Sequence, residues 1–200
     1  MKIPESIRQF VDAVAELPGV GPRQAIRLAF FFTSRGPEFN DLVARGIASL
    51  KELVPCSRCF YPTKNGGGIC AICSNAERRK ELIAIVEKET DLISIESTGQ
   101  FSGQYLVLGD LKKNGVLDTE QKLRLGALKE RIRRELSGSA EEIIIAVSPT
   151  THGDLNAELI GTELAPFAKK VSRLGRGIPT GGEIEFADYE TLKEAIARRS

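Results

Sequence analysis

Residues 56–73 read CSRCFYPTKNGGGICAIC and contain all four cysteines of the chain. The pairs Cys56/Cys59 and Cys70/Cys73 each have the spacing C-x-x-C. Two such pairs, closed over a short loop, favour four thiolates around one tetrahedral metal ion, and four independent buried thiols are the alternative. Because four cysteines leave no open coordination position, we expect a structural Zn²⁺, one ion per chain, rather than a catalytic one.

The composition is that of an ordinary globular chain. The 200 residues are 42% hydrophobic and 28% charged, with a formal net charge of +1. No apolar run is long enough to cross a bilayer, and charges interrupt the first twenty residues, which excludes a secretory signal. We therefore expect a cytoplasmic protein without a membrane partner, where reduced thiols favour a metal site over disulfides.

The charge is unevenly distributed along the chain. The first eighty residues contain twelve basic and seven acidic side chains, whereas residues 81–200 contain sixteen basic and twenty acidic ones. This distribution favours the N-terminal side for a contact with nucleic acid, although solvated surface charge explains it equally well.

The N-terminal residues predict helices joined by a tight turn. Apolar residues recur at helical spacing over residues 4–16, and the run Leu-Pro-Gly-Val-Gly-Pro at 17–22 ends that helix before another begins at Pro22. A further amphipathic helix over residues 37–53 is expected to pack its apolar stripe against this hairpin.

The glycine turn predicts a site for nucleic-acid phosphates. Gly19 and Gly21 let backbone N–H groups come forward without side chains, and the next helix adds its unpaired N-terminal donors. Arg23 and Arg27 lie four residues apart on one helical face, suited to neighbouring phosphates. The pattern L-P-G-V-G-P-R-x-A-x-R-L-A resembles a helix-hairpin-helix, which binds the DNA backbone without reading sequence. A purely structural helix corner is the alternative.

From residue 82 onward, buried strands alternate with helices. Three continuous apolar runs indicate strands covered on both faces, and hence a parallel sheet: 82–86, 105–108 and 143–147. Helices are expected at 122–136 and near 154–168, and a further strand around 170–174. The leucines of the first helix lie on one side and its basic residues on the other.

The C-terminal tail predicts one more strand and one more helix. The alternating residues Glu183–Phe186 are typical of a short strand, and Asp188 is expected to cap a last helix.

Acidic residues follow the carboxyl ends of the predicted strands, where open α/β sheets bind ligands. Glu87 follows the first strand, Asp91 begins the next helical stretch, and Asp154 follows the third strand. The arrangement resembles a Toprim domain, a fold in which such carboxylates hold Mg²⁺. His152 stands where that pattern has another acid, and imidazole is a poor Mg²⁺ ligand. Helix capping or surface charge is at least as good an explanation of these acids.

The order of these parts is similar to that of the bacterial recombination mediator family RecR. The resemblance extends over essentially the whole chain and is most specific in residues 93–109 and 173–196. It implies an α/β protein in four parts: a helix-hairpin-helix region (1–54), a four-cysteine zinc finger (55–79), a Toprim domain (80–175) and a C-terminal strand–helix assembly segment (176–200).

The resemblance also implies a function without catalysis. Members of the family act with RecO and RecF to load RecA onto single-stranded DNA, and they assemble as tetrameric rings that can encircle DNA. Carried over to this chain, the cysteines would bind zinc, Arg23 and Arg27 would contact single- or double-stranded DNA, and Glu87, Asp91 and Asp154 would fall on an acidic patch. Two alternatives stay open: a Mg²⁺-dependent Toprim nuclease or phosphotransferase, and a pure protein scaffold.

Overall fold

The chain folds as two units, which divide between Leu53 and Val54. A computed structural model describes residues 3–64 and 68–197; residues 1–2 and 198–200 of the predicted terminal segments, and 65–67 of the predicted zinc finger, lie outside this description. The first unit is helical, whereas the second contains a parallel sheet and the four cysteines. The predicted α/β class, with a helical N-terminal region and a cysteine cluster, is confirmed.

Three helices form the N-terminal unit within residues 3–53: α1 (Glu5–Val14), α2 (Pro22–Arg35) and α3 (Pro37–Ser49). Pro22 and Pro37 each occupy a first helical turn, where the missing N–H costs no hydrogen bond. Aromatic rings link the helices: the ring centroids of Phe10 and Phe32 lie 5.4 Å apart, and those of Phe32 and Phe39 lie 5.7 Å apart. Such pairs contribute about 0.5–1.5 kcal/mol each beyond the area that they bury.

The apolar stripe of α3 packs against the hairpin at Phe39, as predicted, but the remainder of the stripe is largely exposed and forms no closed core. Leu42 and Ile47 expose 60% and 62% of their surface. In the described part of this unit, only Ala25 and Ala29 of α2 are buried. Three short helices provide too little surface to cover α3, and an open apolar groove of about 510 Å³ remains between them.

Two short strands and a short helix surround the cysteines. A 3-10 turn (Leu50–Glu52) ends the third helical stretch earlier than predicted and leads into β1 (Leu53–Pro55). β1 pairs with β2 (Pro62–Lys64), and α4 (Ala71–Ser74) carries the last cysteine.

The sheet of the C-terminal unit contains β3 (Leu82–Val86), β4 (Gln104–Val107), β5 (Ala140–Ala146) and β6 (Ala168–Arg173). The strands are parallel and lie in the order β4-β3-β5-β6. Ile85 of β3 lies opposite Leu106 on one side and Ile145 on the other. The predicted parallel sheet is therefore confirmed, because strands with continuous apolar runs need partners on both faces.

Each face of the sheet has its own core. The strands are connected through α5 (Glu89–Ser97), α6 (Thr119–Glu135) and α7 (Thr151–Leu164). Ile83 and Ile85 point to the face covered by α6 and α7, whereas the alternate residues Ala84 and Val86 point to the face covered by α5. The core on this second face also contains all four cysteines.

The two long helices begin earlier than predicted because polar caps precede them. Asp118 accepts a hydrogen bond from the backbone N–H of Gln121 at 2.9 Å, and Thr150 accepts one from Gly153 at 3.0 Å. Each cap satisfies a backbone donor that would otherwise be unpaired. In the described ranges, no helix is both long and apolar enough to cross a membrane.

The tail contains a last helix, α8 (Tyr189–Ala197), but not the predicted strand at Glu183–Phe186, so that prediction is wrong. Ile184–Phe186 forms a 3-10 turn with local bonds, including one from the Phe186 N–H to the Glu183 carbonyl at 3.2 Å. These residues pair with no strand in the described part of the chain, and Phe186 exposes 79% of its surface. Asp188 caps α8 as predicted, accepting from the Thr191 N–H at 2.9 Å.

A largely buried ion pair joins the segment before β3 to α5 and β4. The guanidinium of Arg78 donates to both carboxylate oxygens of Glu96, at 2.6 and 2.9 Å. It also donates to the carbonyl oxygens of Phe101 and Gly103, at 3.1 and 2.7 Å. Burial opposes ionisation of Glu96, but hydrogen bonds from Arg78 and from the Tyr105 hydroxyl outweigh it and lower the pKa of the carboxyl group.

Replacing Glu96 with glutamine leaves the Arg78 charge without its partner. We expect Glu96→Gln to lower the free energy of unfolding by about 2 kcal/mol at pH 7, measured by urea denaturation. A carboxyl group whose pKa is lowered by folding contributes stability above its unfolded pKa and loses it as the pH falls through the folded pKa. The difference from wild type should therefore shrink below about pH 4.

Glu77→Gln is the matched control, because Glu77 is exposed and makes no ion pair with the residues that the structure describes. The control should unfold like wild type. Equal stabilities of wild type and Glu96→Gln at pH 7 would contradict the importance of this pair.

Candidate metal centre and nucleic-acid interface

The structure brings the four predicted cysteines together into one buried cluster. Their sulfur atoms all lie within 4.8 Å of one another, and none forms a disulfide. The Sγ atoms of Cys59 and Cys70 lie 3.5 Å apart. In the described part of the chain this is the only group of three or more His, Cys, Asp or Glu residues arranged to hold a metal ion.

Local backbone hydrogen bonds position the first cysteine pair. The N–H of Phe60 donates to the Cys56 carbonyl, and the N–H of Cys56 donates to the Tyr61 carbonyl, both at 2.9 Å. Phe60 closes this first cysteine turn (residues 56–60) with φ of 64°, a conformation uncommon for a bulky side chain. The N–H of Cys70 then donates to the Cys56 sulfur at 3.3 Å, which brings the second pair against the first.

The cluster fits a divalent ion that prefers sulfur ligands. For Cys56, burial opposes ionisation, but hydrogen bonds from neighbouring N–H groups, including those of Cys59 and Cys70, lower the pKa of the thiol to about 7. Burial raises the pKa of Cys70 to about 11. The hydrogen bond with Cys73, together with burial, raises the pKa of Cys59. Since a metal binds the deprotonated form, an ion held here keeps all four as thiolates.

The cysteine cluster is part of the sheet core rather than a separate finger. The N–H of Val107, at the end of β4, donates to the Cys59 carbonyl at 2.8 Å. The cysteines share one core with Ala84, Val86 and Tyr105 of the sheet. Order at the cluster is therefore coupled to order in the sheet.

Helix α6 contacts the first cysteine turn through two arginines of its predicted basic side. The guanidinium of Arg124 lies 5.1 Å from the ring centroid of Phe60 and donates to the Val107 carbonyl at 3.0 Å. Arg131 is buried and donates to the Arg58 carbonyl at 3.3 Å. These two arginines are therefore largely buried rather than solvated. In the sequence, Arg124 and Arg131 are two helical turns apart, and this spacing could have indicated that both arginines lie on one face of α6 and contact the same turn.

The glycine turn of the N-terminal unit presents free backbone donors. Gly19 has φ of 80°, which glycine adopts readily, and Gly21 caps α2. The Ala25 N–H bonds back to the Gly21 carbonyl at 2.9 Å, but the N–H groups of Arg23 and Gln24 have no acceptor among the described residues. Free N–H groups and the helix dipole favour an anion at this end.

Arg23 and Arg27 are both exposed, one helical turn apart on α2. Neither forms an ion pair with a described residue, so their guanidinium groups are available to an external anion. The structure therefore brings together the glycine turn and both predicted arginines in one unit.

The three predicted acids each have a separate partner. Glu87 accepts a hydrogen bond from the Leu111 N–H at 3.1 Å. Asp91 accepts one from the Lys88 N–H at 2.9 Å and so caps α5. In the described ranges, these carboxylates do not form a three-ligand metal group.

Asp154 lies between two arginines. It pairs with Arg173 at 2.6 Å and also with Arg176, the first residue of the predicted tail segment. Burial opposes ionisation of Asp154, but hydrogen bonds from both guanidinium groups outweigh it and lower the pKa of the carboxyl group. One carboxylate thus ties the segment after β6 to α7.

Removing the charge of Asp154 should loosen the start of the tail. We expect Asp154→Asn to speed trypsin cleavage after Arg173 and Arg176 severalfold under native conditions, because both ion pairs are partly exposed and individually modest. Mass spectrometry of the fragments measures the rate at each bond.

Glu158→Gln on the same helix serves as the control, since Glu158 is exposed and its side chain pairs with no described residue. It should be cleaved like wild type. If Asp154→Asn showed the same cleavage pattern and rate as the control, the ion pairs of Asp154 would not be what protects the start of the tail.

Comparison with known proteins gives the relationships of the whole chain. The Toprim domain family matches residues 81–175. The protein named recombination protein RecR of Roseiflexus castenholzii is 36% identical over 199 residues, which cover 98% of this chain and 94% of that protein.

Two further relatives with the same name cover still more of the chain. The Syntrophomonas wolfei protein is 36% identical over 204 residues, and that of Anaeromyxobacter sp. is 37% identical over 202 residues; both alignments cover 100% of this chain and 98% of the relative. These findings confirm the resemblance predicted from the sequence. The chain belongs to the RecR family of recombination proteins.

Proposed function

We propose that this protein is a DNA-binding mediator of recombinational repair that acts without catalysis. In this proposal it works with RecO and RecF to promote the loading of RecA onto single-stranded DNA. The name of its relatives, recombination protein RecR, supports a role in recombination. The glycine turn of the N-terminal unit supports a direct contact with DNA.

The observation that carries the proposal is the exposed glycine turn beside two arginines. The absence of side chains at Gly19 and Gly21 leaves room for a phosphate group next to the free N–H groups of α2. Arg23 and Arg27 add two positive charges on the same helix. Contacts of this kind neutralise phosphates without reading bases, so the interface suits single- and double-stranded DNA of any sequence.

The absence of catalysis is supported by the surroundings of the acids. Asp154 is neutralised by two arginines, and Asp91 caps a helix, so neither carboxylate is readily available to Mg²⁺. The hydroxyl of Tyr105 donates to Glu96 within the core and is poorly placed to attack a phosphodiester. These contacts favour the mediator over a Toprim nuclease.

For the cysteine cluster we propose one structural Zn²⁺ per chain. Four sulfur ligands without an open position are typical of structural zinc sites. The bound ion would supply folding free energy rather than reactivity. It would stabilise the sheet core against which the cysteines pack.

Assembly as a tetrameric ring is a further part of the proposal. The N-terminal unit has an open apolar groove lined by Phe10, Leu28 and Ile47, and the tail exposes Ile184, Phe186 and Tyr189. Apolar surfaces of this kind favour contacts with other protein chains. They support an assembly through both ends of the chain.

The DNA contact is tested by charge reversal at the glycine turn. We expect Arg23→Glu/Arg27→Glu to weaken binding to single- and double-stranded DNA by tens-fold and to flatten the dependence of log K on log salt by about two. Fluorescence anisotropy of labelled oligonucleotides over a salt series measures both quantities.

Arg8→Glu/Arg45→Glu is the matched control, with the same charge change on α1 and α3 of the same unit. It should weaken binding much less than the variant at the turn. Equal losses in the two doubles would indicate a diffuse charge effect, and unchanged binding of a folded Arg23→Glu/Arg27→Glu protein would refute the assignment.

The metal proposal is tested by elemental analysis and chelation. We expect one zinc per chain, and loss of the cooperative thermal transition when a strong chelator removes it, because the thiol groups lie inside the sheet core. Readdition of Zn²⁺ under reducing conditions should restore the transition. A metal-free protein that folds with the same midpoint would refute the role.

A further inference from the structure

One arginine is buried beside the cysteine cluster with part of its hydrogen-bonding capacity unused. Arg131 of α6 exposes only 7% of its surface. Its Nη1 donates to the Arg58 carbonyl at 3.3 Å, inside the first cysteine turn. Its Nη2 is buried and has no hydrogen-bond partner among the described residues. Such an orphaned buried donor requires an explanation.

Arg131 also lacks a carboxylate partner within the described part of the chain. Glu135, one turn further along α6, pairs with Arg58 at 3.0 Å instead. Glu130 pairs with Arg133 and Arg134, at 3.6 and 3.8 Å. Because a guanidinium stays protonated in proteins, the interior contains a positive charge that no directly bonded acid neutralises.

The cysteine cluster would carry a negative charge once a metal is bound. Four thiolates around a divalent ion carry a net charge of −2, and all four cysteines are buried. Burial lowers the pKa of Arg131. Its guanidinium bonds the carbonyl of Arg58, which lies between Cys56 and Cys59 in the sequence, so its charge lies beside the turn that carries two of the four ligands.

We infer that Arg131 is a positioning residue of the metal centre, whose buried guanidinium offsets the negative charge of the metal-bound thiolates and fixes the first cysteine turn through the Arg58 carbonyl. The inference rests on the proposed metal binding and adds a residue outside the cysteine segment to it. It accounts for a buried cation without a bonded carboxylate next to four buried cysteines.

The experiment compares Zn²⁺ affinity in full-length variants by competition with a chromophoric chelator. Arg131→Met keeps the length of the side chain and removes its charge, and we expect it to bind Zn²⁺ about 10–100-fold more weakly than wild type. Arg131→Lys keeps the charge and should retain most of the affinity. Arg134→Met removes an exposed charge three residues away and should bind like wild type.

A role in packing alone is separated by comparing the Arg131 variants in their zinc-loaded form, because the metal-free protein is expected to lack a cooperative transition. The electrostatic role predicts that the neutral Arg131→Met lowers Zn²⁺ affinity, whereas Arg131→Lys, which also changes the packing, does not. Equal losses of affinity in Arg131→Met and Arg131→Lys, or equal Zn²⁺ affinities of wild type and Arg131→Met, would overturn the inference.

Two further outcomes keep this test independent of the metal proposal. If wild type binds no Zn²⁺, the metal proposal itself fails, and this inference fails with it. If wild type binds one Zn²⁺ and all variants match it, only the assignment of Arg131 fails. Should Arg131→Met not fold, Arg131→Gln gives the same comparison, because glutamine is neutral and can still donate to the Arg58 carbonyl.

Discussion

The burial of four cysteine side chains against the sheet is the constraint on which the C-terminal unit depends. Thiolates are stable in an apolar core only when a metal ion and hydrogen-bond donors compensate their charge. In this chain the N–H of Cys70 donates to the Cys56 sulfur. The N–H of Val107 and the guanidinium groups of α6 donate to carbonyl oxygens of the cysteine turn and of β4, and so hold the backbone around the cluster. A segment that resembles a small zinc finger in sequence is thus packed into the core of the sheet.

Helix α6 links the two cores of this unit. Its leucines pack under one face of the sheet, while Arg124 and Arg131 contact the cysteine turn. The aliphatic parts of these arginines can lie along apolar surface while their charged ends contact carbonyl oxygens and an aromatic ring. Substitution of either arginine therefore removes packing and charge together, which is why matched variants are needed to separate the two.

Features that depend on residues close together in the chain could be predicted from the sequence. Continuous apolar runs predicted the parallel sheet, the C-x-x-C spacing predicted the cluster, and Asp188 predicted a helix cap. Prediction failed where the answer depends on distant residues. The alternation at 183–186 resembles a strand, yet no sheet edge receives it. Basic residues on α6 resemble a solvated face, and only the fold shows that Arg131 lies under a turn made seventy-three residues earlier.

The order of the strands has a consequence for synthesis of the chain. β3 pairs with β4 and β5, so β3 lacks its second neighbour until residue 146 has left the ribosome. At about 5–20 residues per second, the cysteines wait several seconds before α6 and β5 can cover them. During this interval four thiols are open to oxidation and to whichever metal ion the cell supplies first. For the proposed metal, the time of its arrival at these thiols then matters alongside its affinity.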